Sequence, residues 1–243
     1  MTYAMILCAG FGTRLSHLTK NSPKPMLKLG DKPILEHTIE HLKKHEIKDI
    51  VINLHYLADH ITSYFGDGSS FGVHITYSYE ENPLGTSGAV KKVQDILSKA
   101  DNFLILYGDV VTNQNYTDLI SHHKSKTDAI GTIIVHEREK SNSIVEMNTD
   151  NKILKFLERP PESELKIKKQ NWVNSGLYCF NKEIFNLIPD GVSDFPKDIF
   201  LKLVQAGNLY GFPLSGYRCA VDSQERYFMV QSDYSNGIVF RDL

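Results

Sequence analysis

The chain has no excess of charge of either sign: 27 basic side chains stand against 29 acidic ones, for a net charge of -2. It also has no block of five or six like charges. Binding to a nucleic-acid duplex needs a basic face that neutralises phosphates, so that class is excluded, and the densest basic stretch, Lys166, Lys168 and Lys169 beside Glu162 and Glu164, reads as a solvated loop or helix face. Cysteine is scarce. Cys8, Cys179 and Cys219 are an odd number at wide spacings, each in an apolar run, and read as reduced and buried in a cytoplasmic protein. The N-terminal MTYAMILCAG lacks a basic leader region and its apolar run is only about six residues, so neither a signal peptide nor a membrane span is expected. Repeats, low-complexity tracts and long linkers are missing too. What remains is an ordinary globular composition, 41% hydrophobic over 243 residues, which on size scaling buries roughly 70 to 75% of its unfolded surface.

The first half alternates strand and helix patterns. Tyr3 to Cys8 is a continuous apolar run of strand length, Asp49 to Leu54 and Phe103 to Tyr107 read as buried strands, and Val73 to Tyr79 alternates; Pro33 to Lys44, Tyr56 to Phe65 and Gly88 to Ala100 read as helices. This βαβαβ order predicts a parallel, doubly wound sheet with right-handed crossovers. The second half predicts a strand from Ile130 to Val135, a hairpin from Ser143 to Leu157 turning at Asn148-Thr149-Asp150-Asn151, and a strand from Gly176 to Phe180. Helices follow at Lys182 to Leu187 and Lys197 to Ala206, then a strand from Tyr217 to Val221 and a C-terminal helix. A single domain over 1–243 is expected, with no second domain appended.

Gly10-Phe11-Gly12-Thr13-Arg14-Leu15 opens from the carboxyl end of the first strand, where ligands of open α/β sheets bind, and Pro23-Lys24-Pro25-Met26 follows it. Glycines there let backbone N–H groups approach phosphate oxygens. A dinucleotide fingerprint would need glycine in place of Leu15, and a P-loop would need Gly-Lys-Ser/Thr in place of Thr13-Arg14-Leu15, so both fail, and with the first an NAD-dependent oxidoreductase. Asp109, at the end of the apolar strand FLILY, and Asp222, at the end of YRCAV, are carboxylates that could meet across one magnesium ion. His37, His41 and His45, spaced four apart, read as the polar edge of a packed helix rather than a metal site.

Ala9 to Leu15 with Pro23-Lys24-Pro25-Met26 resembles the signature of the sugar-1-phosphate nucleotidylyltransferases. Asn82-Pro83-Leu84-Gly85-Thr86-Ser87-Gly88, Tyr107-Gly108-Asp109, Leu157-Glu158-Arg159-Pro160, Asn174-Ser175-Gly176-Leu177-Tyr178 and Val221-Asp222 follow in that family's order. The resemblance implies a Rossmann-like mixed, mostly parallel sheet flanked by helices with a small sugar-binding hairpin lobe, about 1–115 serving the nucleotide and about 116–243 the sugar phosphate. It implies a Mg²⁺-dependent transfer from a nucleoside triphosphate to a sugar 1-phosphate with release of pyrophosphate. Leu7, Ala9, Gly10, Gly12, Thr13, Arg14, Glu80, Pro83, Gly85 and Thr86 are then the nucleotide-binding positions, with Arg14, Lys24 and Asp109 catalytic and Asp109 and Asp222 holding the metal. Lys24, Ser143, Glu158, Arg159 and Asn174 fall on the sugar-phosphate side.

Two unit charges 4 Å apart repel by about 4 kcal/mol at an effective dielectric near 20, so two phosphorylated substrates need cations between them. Arg14 on the leaving pyrophosphate, Lys24 between the two phosphates and the metal answer that need. Three departures from the family stand out: Arg159 for a usual lysine, Ser143 for a usual strand glycine, and Ser223-Gln224-Glu225 where Gly-Thr-Pro usually follows the second aspartate. Glu80 falls where thymidylyl members carry glutamine. A carboxylate only accepts, and guanine's N1-H and amino group offer it two donors where uracil offers one, so GTP is favoured over UTP. The alternatives are uridylyl transfer to an N-acetylhexosamine or N-acetylmuramate 1-phosphate and, in another class, a non-catalytic nucleotide-sugar binding protein. The partners expected are these small molecules, with no nucleic acid and no membrane.

Overall fold

The structure, a computed structural model, describes residues 2–12, 15–138, 143–167 and 169–240. Thr13, Arg14 and Lys168 lie outside the described residues. In chain order the elements are β1 Tyr3–Leu7, α1 Ser16–Thr19, β2 Lys28–Leu29, β3 Lys32–Pro33, α2 Ile34–Lys44, β4 Asp49–Leu54, α3 Ala58–Phe65 and β5 His74–Tyr79. Then come α4 Gly85–Lys92, α5 Gln94–Leu97, β6 Asn102–Tyr107, β7 Val110–Thr112, α6 Tyr116–Ser125, β8 Gly131–Glu137, β9 Ser143–Met147, β10 Ile153–Glu158 and α7 Glu162–Ile167. The chain continues through β11 Trp172–Asn181, α8 Phe200–Ala206, β12 Leu209–Pro213, β13 Arg218–Ala220 and α9 Gln224–Ser235. The fold is α/β, a mixed and mostly parallel sheet flanked by helices.

Two compact units assemble from interleaved stretches, 1–83, 106–116 and 215–243 forming one and 84–105 with 117–214 the other. In the first unit, β1, β4 and β5 are parallel, with Leu7 opposite Asn53 and Leu54 opposite Tyr79. The middles of β1 and β4 are wholly buried, as expected of parallel strands covered on both faces, with Asn53 the one polar side chain inside β4, whereas β5 mixes buried, intermediate and exposed positions. The last stretch of the chain belongs to this unit because β13 pairs antiparallel with β7, Ala220 opposite Val110.

In the second unit β9 and β10 form the expected hairpin. Asn148 Oδ1 accepts from the N–H groups of Asp150 and Lys152, closing the turn, and Asn151 takes a positive φ. β9 also pairs with β11, which pairs antiparallel with β8; β12 then joins β8 in parallel. Tyr178, Phe180, Phe195 and Phe200 are fully buried and form the aromatic centre, with Phe180 and Phe195 stacked at 4.8 Å and Tyr178 edge-on to Phe200 at 5.2 Å.

The structure shifts several expected elements for identifiable reasons. The helix expected from Gly88 starts at Gly85, because Asp194 Oδ1, supplied from elsewhere in the chain, accepts from the Thr86 N–H at 3.0 Å, and it breaks at Val93. The helix expected from Tyr56 starts at Ala58, since Leu57 lies in the left-handed region. β11 begins at Trp172 rather than Gly176: Asn174 to Tyr178 is a bulge within the strand, not a turn before it. His37 and His41 are buried, their Nε2–H groups donating to the carbonyls of Leu29 and Gln114 at 2.8 Å, so they belong to the packed face rather than its edge. All three cysteines are free and buried, and burial raises their thiol pKa values.

Gly88 separates two rules. Helix propensity alone makes Gly88→Ala stabilising by about 1 kcal/mol. A Cβ there would lie 2.2 Å from the carbonyl oxygen of Gly191, backbone against backbone, and such overpacking costs about 1 to 3 kcal/mol. Gly88→Ala is therefore expected to lower the urea midpoint; a raised midpoint would show that the 191 loop yields freely.

Candidate active site

In the first unit the carboxyl ends of three parallel strands are joined by one side chain. Asn53, on β4, accepts the Cys8 N–H on Oδ1 at 2.8 Å and donates Nδ2 to Glu80 Oε1 at 2.7 Å. His55 Nδ1–H donates to the Glu80 carbonyl at 2.8 Å and the Glu80 N–H to Leu54 O. Glu80 is only 5% exposed, a buried acid rather than a solvated one. Leu7 ends β1 beside this link, Ala9 is buried and Pro83 half-buried; Gly10 is exposed, and a Cβ there would meet no atom of the described residues within 4 Å. Gly12 has φ +66°, and its carbonyl accepts from Thr19 Oγ1 and from the Leu15 N–H, both at 3.0 Å. A backbone so turned suits glycine.

The two aspartates are set by backbone. The Gly108 N–H donates to Leu7 O at 3.0 Å, and a Cβ at Gly108 would lie 2.6 Å from Cys8 Sγ, so only glycine lets Asp109 follow β6 this close to β1. The Val221 N–H donates to Asp109 O at 2.8 Å, extending the β7–β13 ladder and bringing Asp222 beside Asp109 in the backbone register. Lys24, 9% exposed in a 3₁₀ turn begun by Pro23 and containing Pro25, places Nζ 2.9 Å from Asp109 Oδ2. Arg226 Nη1 lies 3.2 Å from Asp222 Oδ1. Arg218 is half-buried nearby; desolvation lowers its pKa, and Asp109, with a smaller effect from Asp222, opposes the fall. Arg218 and Arg226 escaped the sequence reading, although the i,i+4 spacing from Asp222 to Arg226 was legible.

In the second unit β9, β10 and β11 bring Ser143, Glu158 and Asn174 together. Glu158 stands opposite Ser143 in the hairpin register, and Ser143 Oγ accepts the Asn174 N–H at 3.0 Å. The Asn174 side chain is fixed within the bulge: Oδ1 accepts from the Gly176 N–H and Nδ2 donates to Tyr178 Oη. Arg159 follows with φ +49°, a conformation that non-glycine residues seldom adopt and that clusters at functional sites. Gly85, φ +73°, packs so close to Ser193 that a Cβ would lie 2.4 Å from its carbonyl oxygen. Thr86 donates both N–H and Oγ1–H to Asp194 Oδ1. No local pattern marked Asp194.

Carboxylates, a buried lysine and a glycine loop thus gather at the exit of parallel strands, the end of an open α/β sheet at which ligands usually bind. Residues 3–233 match the family described as Nucleotidyl transferase, and the chain belongs to it. It is 37% identical over 219 residues to a UTP–glucose-1-phosphate uridylyltransferase of Synechocystis sp., covering 84% of this chain and 55% of that protein. It is 36% identical over 219 residues to a mannose-1-phosphate guanyltransferase of Candida albicans, covering 88% and 59%. The chain thus spans little more than half the length of these relatives. The fold is similar to that of HddC from Yersinia pseudotuberculosis, with a TM-score of 0.80 at 24% identity over 96% of this chain and 100% of that one. Among the described residues no helix is long and apolar enough to cross a membrane.

Burial pushes the Glu158 carboxyl above the ordinary glutamate range; Arg159 and then Lys197 pull it down, and Asp194 adds to the rise. The folded chain therefore keeps this proton over a pH window in which the unfolded chain has lost it, so the group costs stability at neutral pH and the cost fades as pH falls below the ordinary value. Glu158→Gln is expected to stabilise the protein at about pH 7.5 and to lose that advantage near about pH 4. Urea unfolding at both pH values checks this; an advantage independent of pH would deny the perturbed carboxyl.

Proposed function

We propose that this chain transfers a nucleotidyl group from a nucleoside triphosphate, GTP by preference, to a sugar 1-phosphate, releasing pyrophosphate. The observation that carries the reading is the Lys24–Asp109 ion pair, with Asp222 beside it in register, at the exit of β1 and β6 next to the glycine loop. In the reaction a phosphate oxygen of the sugar 1-phosphate attacks the α-phosphorus; the new P–O bond forms as the bond to the β-phosphate bridge breaks, and pyrophosphate leaves. Lys24 is placed to draw the two phosphates together once its nitrogen exchanges the carboxylate for phosphate oxygens, and the family resemblance puts Arg14 on the pyrophosphate. No covalent nucleophile is needed.

Asp109 and Asp222 are two adjacent hard oxygen donors, a set that suits Mg²⁺ completed by waters and substrate phosphates. Bound there, Mg²⁺ would supply neutralisation of the triphosphate charge. The family resemblance assigns the phosphates to the loop that opens at Ala9 and counts Leu7, Pro83, Gly85 and Thr86 among the nucleotide-binding positions. Glu158 and Asn174 take sugar hydroxyls, Arg159 the sugar phosphate, and Ser143 holds the backbone of Asn174. The buried cysteines and the nucleotide substrate favour the cytoplasm, and the product would supply cell-surface glycan synthesis.

Buried Glu80, held by Asn53 at the end of β5, supports guanine, and the similarity to mannose-1-phosphate guanyltransferases agrees with it. The uridylyltransferase among the relatives keeps UTP as the second reading. Pyrophosphate release measured across GTP, UTP, dTTP, CTP and ATP against hexose, hexosamine, muramic-acid and heptose 1-phosphates tests the proposal. Release above background with GTP and one sugar phosphate supports it; tight binding of a nucleotide sugar with no release under saturating substrates would favour a non-catalytic binding protein. Glu80→Gln is expected to lower the GTP to UTP ratio of kcat/KM roughly tenfold, the worth of one charged hydrogen bond. Gly10→Ala should leave the thermal midpoint unchanged, since a Cβ there touches no atom of the described residues, while raising the KM for nucleotide; a parallel loss of stability would assign Gly10 to folding instead.

A further inference from the structure

The acidic pair is surrounded by more positive charge than it carries. Lys24 holds Asp109 at 2.9 Å, Arg226 holds Asp222 at 3.2 Å, and half-buried Arg218 lies within electrostatic reach of both carboxylates, so three cations among the described residues face the two anions. Arg226 is itself fixed. Ser223 caps α9 directly after Asp222, its Oγ accepting the Arg226 N–H at 3.3 Å, which sets Arg226 one turn along and returns its guanidinium to Asp222 and to the carbonyl of Ala220 at 3.5 Å. This arrangement arises where Ser223-Gln224-Glu225 replaces the Gly-Thr-Pro that the resemblance leads one to expect.

We propose that Arg226 is a positioning residue that keeps Asp222 from holding a divalent cation until a polyphosphate arrives, so that metal enters this site with the nucleotide and not before it. The inference rests on the reading of Asp109 and Asp222 as metal-holding carboxylates. A divalent cation arriving alone meets carboxylates already paired with cations and has to displace a guanidinium from Asp222. A triphosphate reverses the sign of the field. Its oxygens carry more negative charge than a carboxylate shared with a metal, so they are the better partners for Arg226 and Lys24, and the guanidinium can take them in a bidentate fork. Both aspartates are then released to the cation that the phosphates carry in.

Equilibrium titration with Mn²⁺, followed by the electron paramagnetic resonance signal of the free ion, tests this on the whole chain with and without a non-hydrolysable GTP analogue. Wild type is expected to bind Mn²⁺ weakly alone and much more tightly with the analogue. Arg226→Gln should bind Mn²⁺ alone about tenfold more tightly, the effect of removing one nearby unit of repulsion, and match wild type once the analogue is present. Arg226→Lys, which keeps the charge, should behave as wild type and controls for any loss of helix stability. Mn²⁺ affinity unchanged in Arg226→Gln, or as high in wild type without the analogue as with it, overturns the inference. Asp222→Asn separates the two levels: if it abolishes Mn²⁺ binding in the analogue complex while Arg226→Gln changes nothing, the metal site stands and the gate falls. If it binds like wild type, the metal assignment fails and takes the gate with it.

Discussion

A single buried amide ties together the part of the first unit on which the site depends. Parallel strands leave their carboxyl ends in loops whose backbone groups have no ladder partner, and a buried donor or carboxylate left unmatched costs about 1 to 3 kcal/mol or more. Asn53 meets two such needs at once, accepting from the Cys8 N–H after β1 and donating to Glu80 after β5. Asn alone among the small side chains presents an acceptor and a donor on one rigid plane. The loop that opens at Ala9 and the acid proposed to read the base therefore rest on one frame, and a shift of either moves the other.

Charge is the second constraint. Two carboxylates in adjacent backbone register repel, and the chain answers with cations delivered by different devices: a lysine in a proline-bounded turn, an arginine on β13 and another on the first turn of α9. The Lys24–Asp109 pair is close enough to neutralise and exposed enough to be exchanged, the two side chains being 11% and 26% accessible. A fully buried pair would be costly to open. A wholly exposed one would be screened and weak. Intermediate burial fits groups whose partners must change when a polyanion binds.

What was legible in the sequence was whatever local pattern determines. β4 was bounded to the residue because an apolar run between polar ends is buried on both faces, and the 148–151 turn because asparagine caps its own backbone. What was illegible depends on distant partners. α4 starts early on a cap lent by Asp194, β11 was cut short because Asn174-Ser175-Gly176 spells a turn and forms a bulge, and β12 and α6, held by tertiary packing with weak periodicity of their own, were missed. The same division holds at the site. Motif letters located Lys24, Asp109 and Asp222, while Asn53, Asp194 and Arg218 matter through contacts across the chain.

The motif letters themselves divide into two kinds. Gly85, Gly88 and Gly108 are required by the protein's own packing, since a Cβ at each would collide with a carbonyl or a buried sulfur. Gly10 meets no such demand. A pattern that retains all four therefore retains both a fold and something the fold does not need, which points to a ligand at Gly10. The three departures fall elsewhere, and each has a structural counterpart: Ser143 supplies the acceptor for Asn174, Arg159 takes a strained left-handed backbone, and Ser223 caps the helix that carries Arg226. Two of these lie among the residues proposed for the sugar phosphate and the third at the second carboxylate. In the proposed reaction, then, the nucleotide loop keeps the family's chemistry, and what this chain does differently is concentrated where the acceptor sugar is chosen and the metal is admitted.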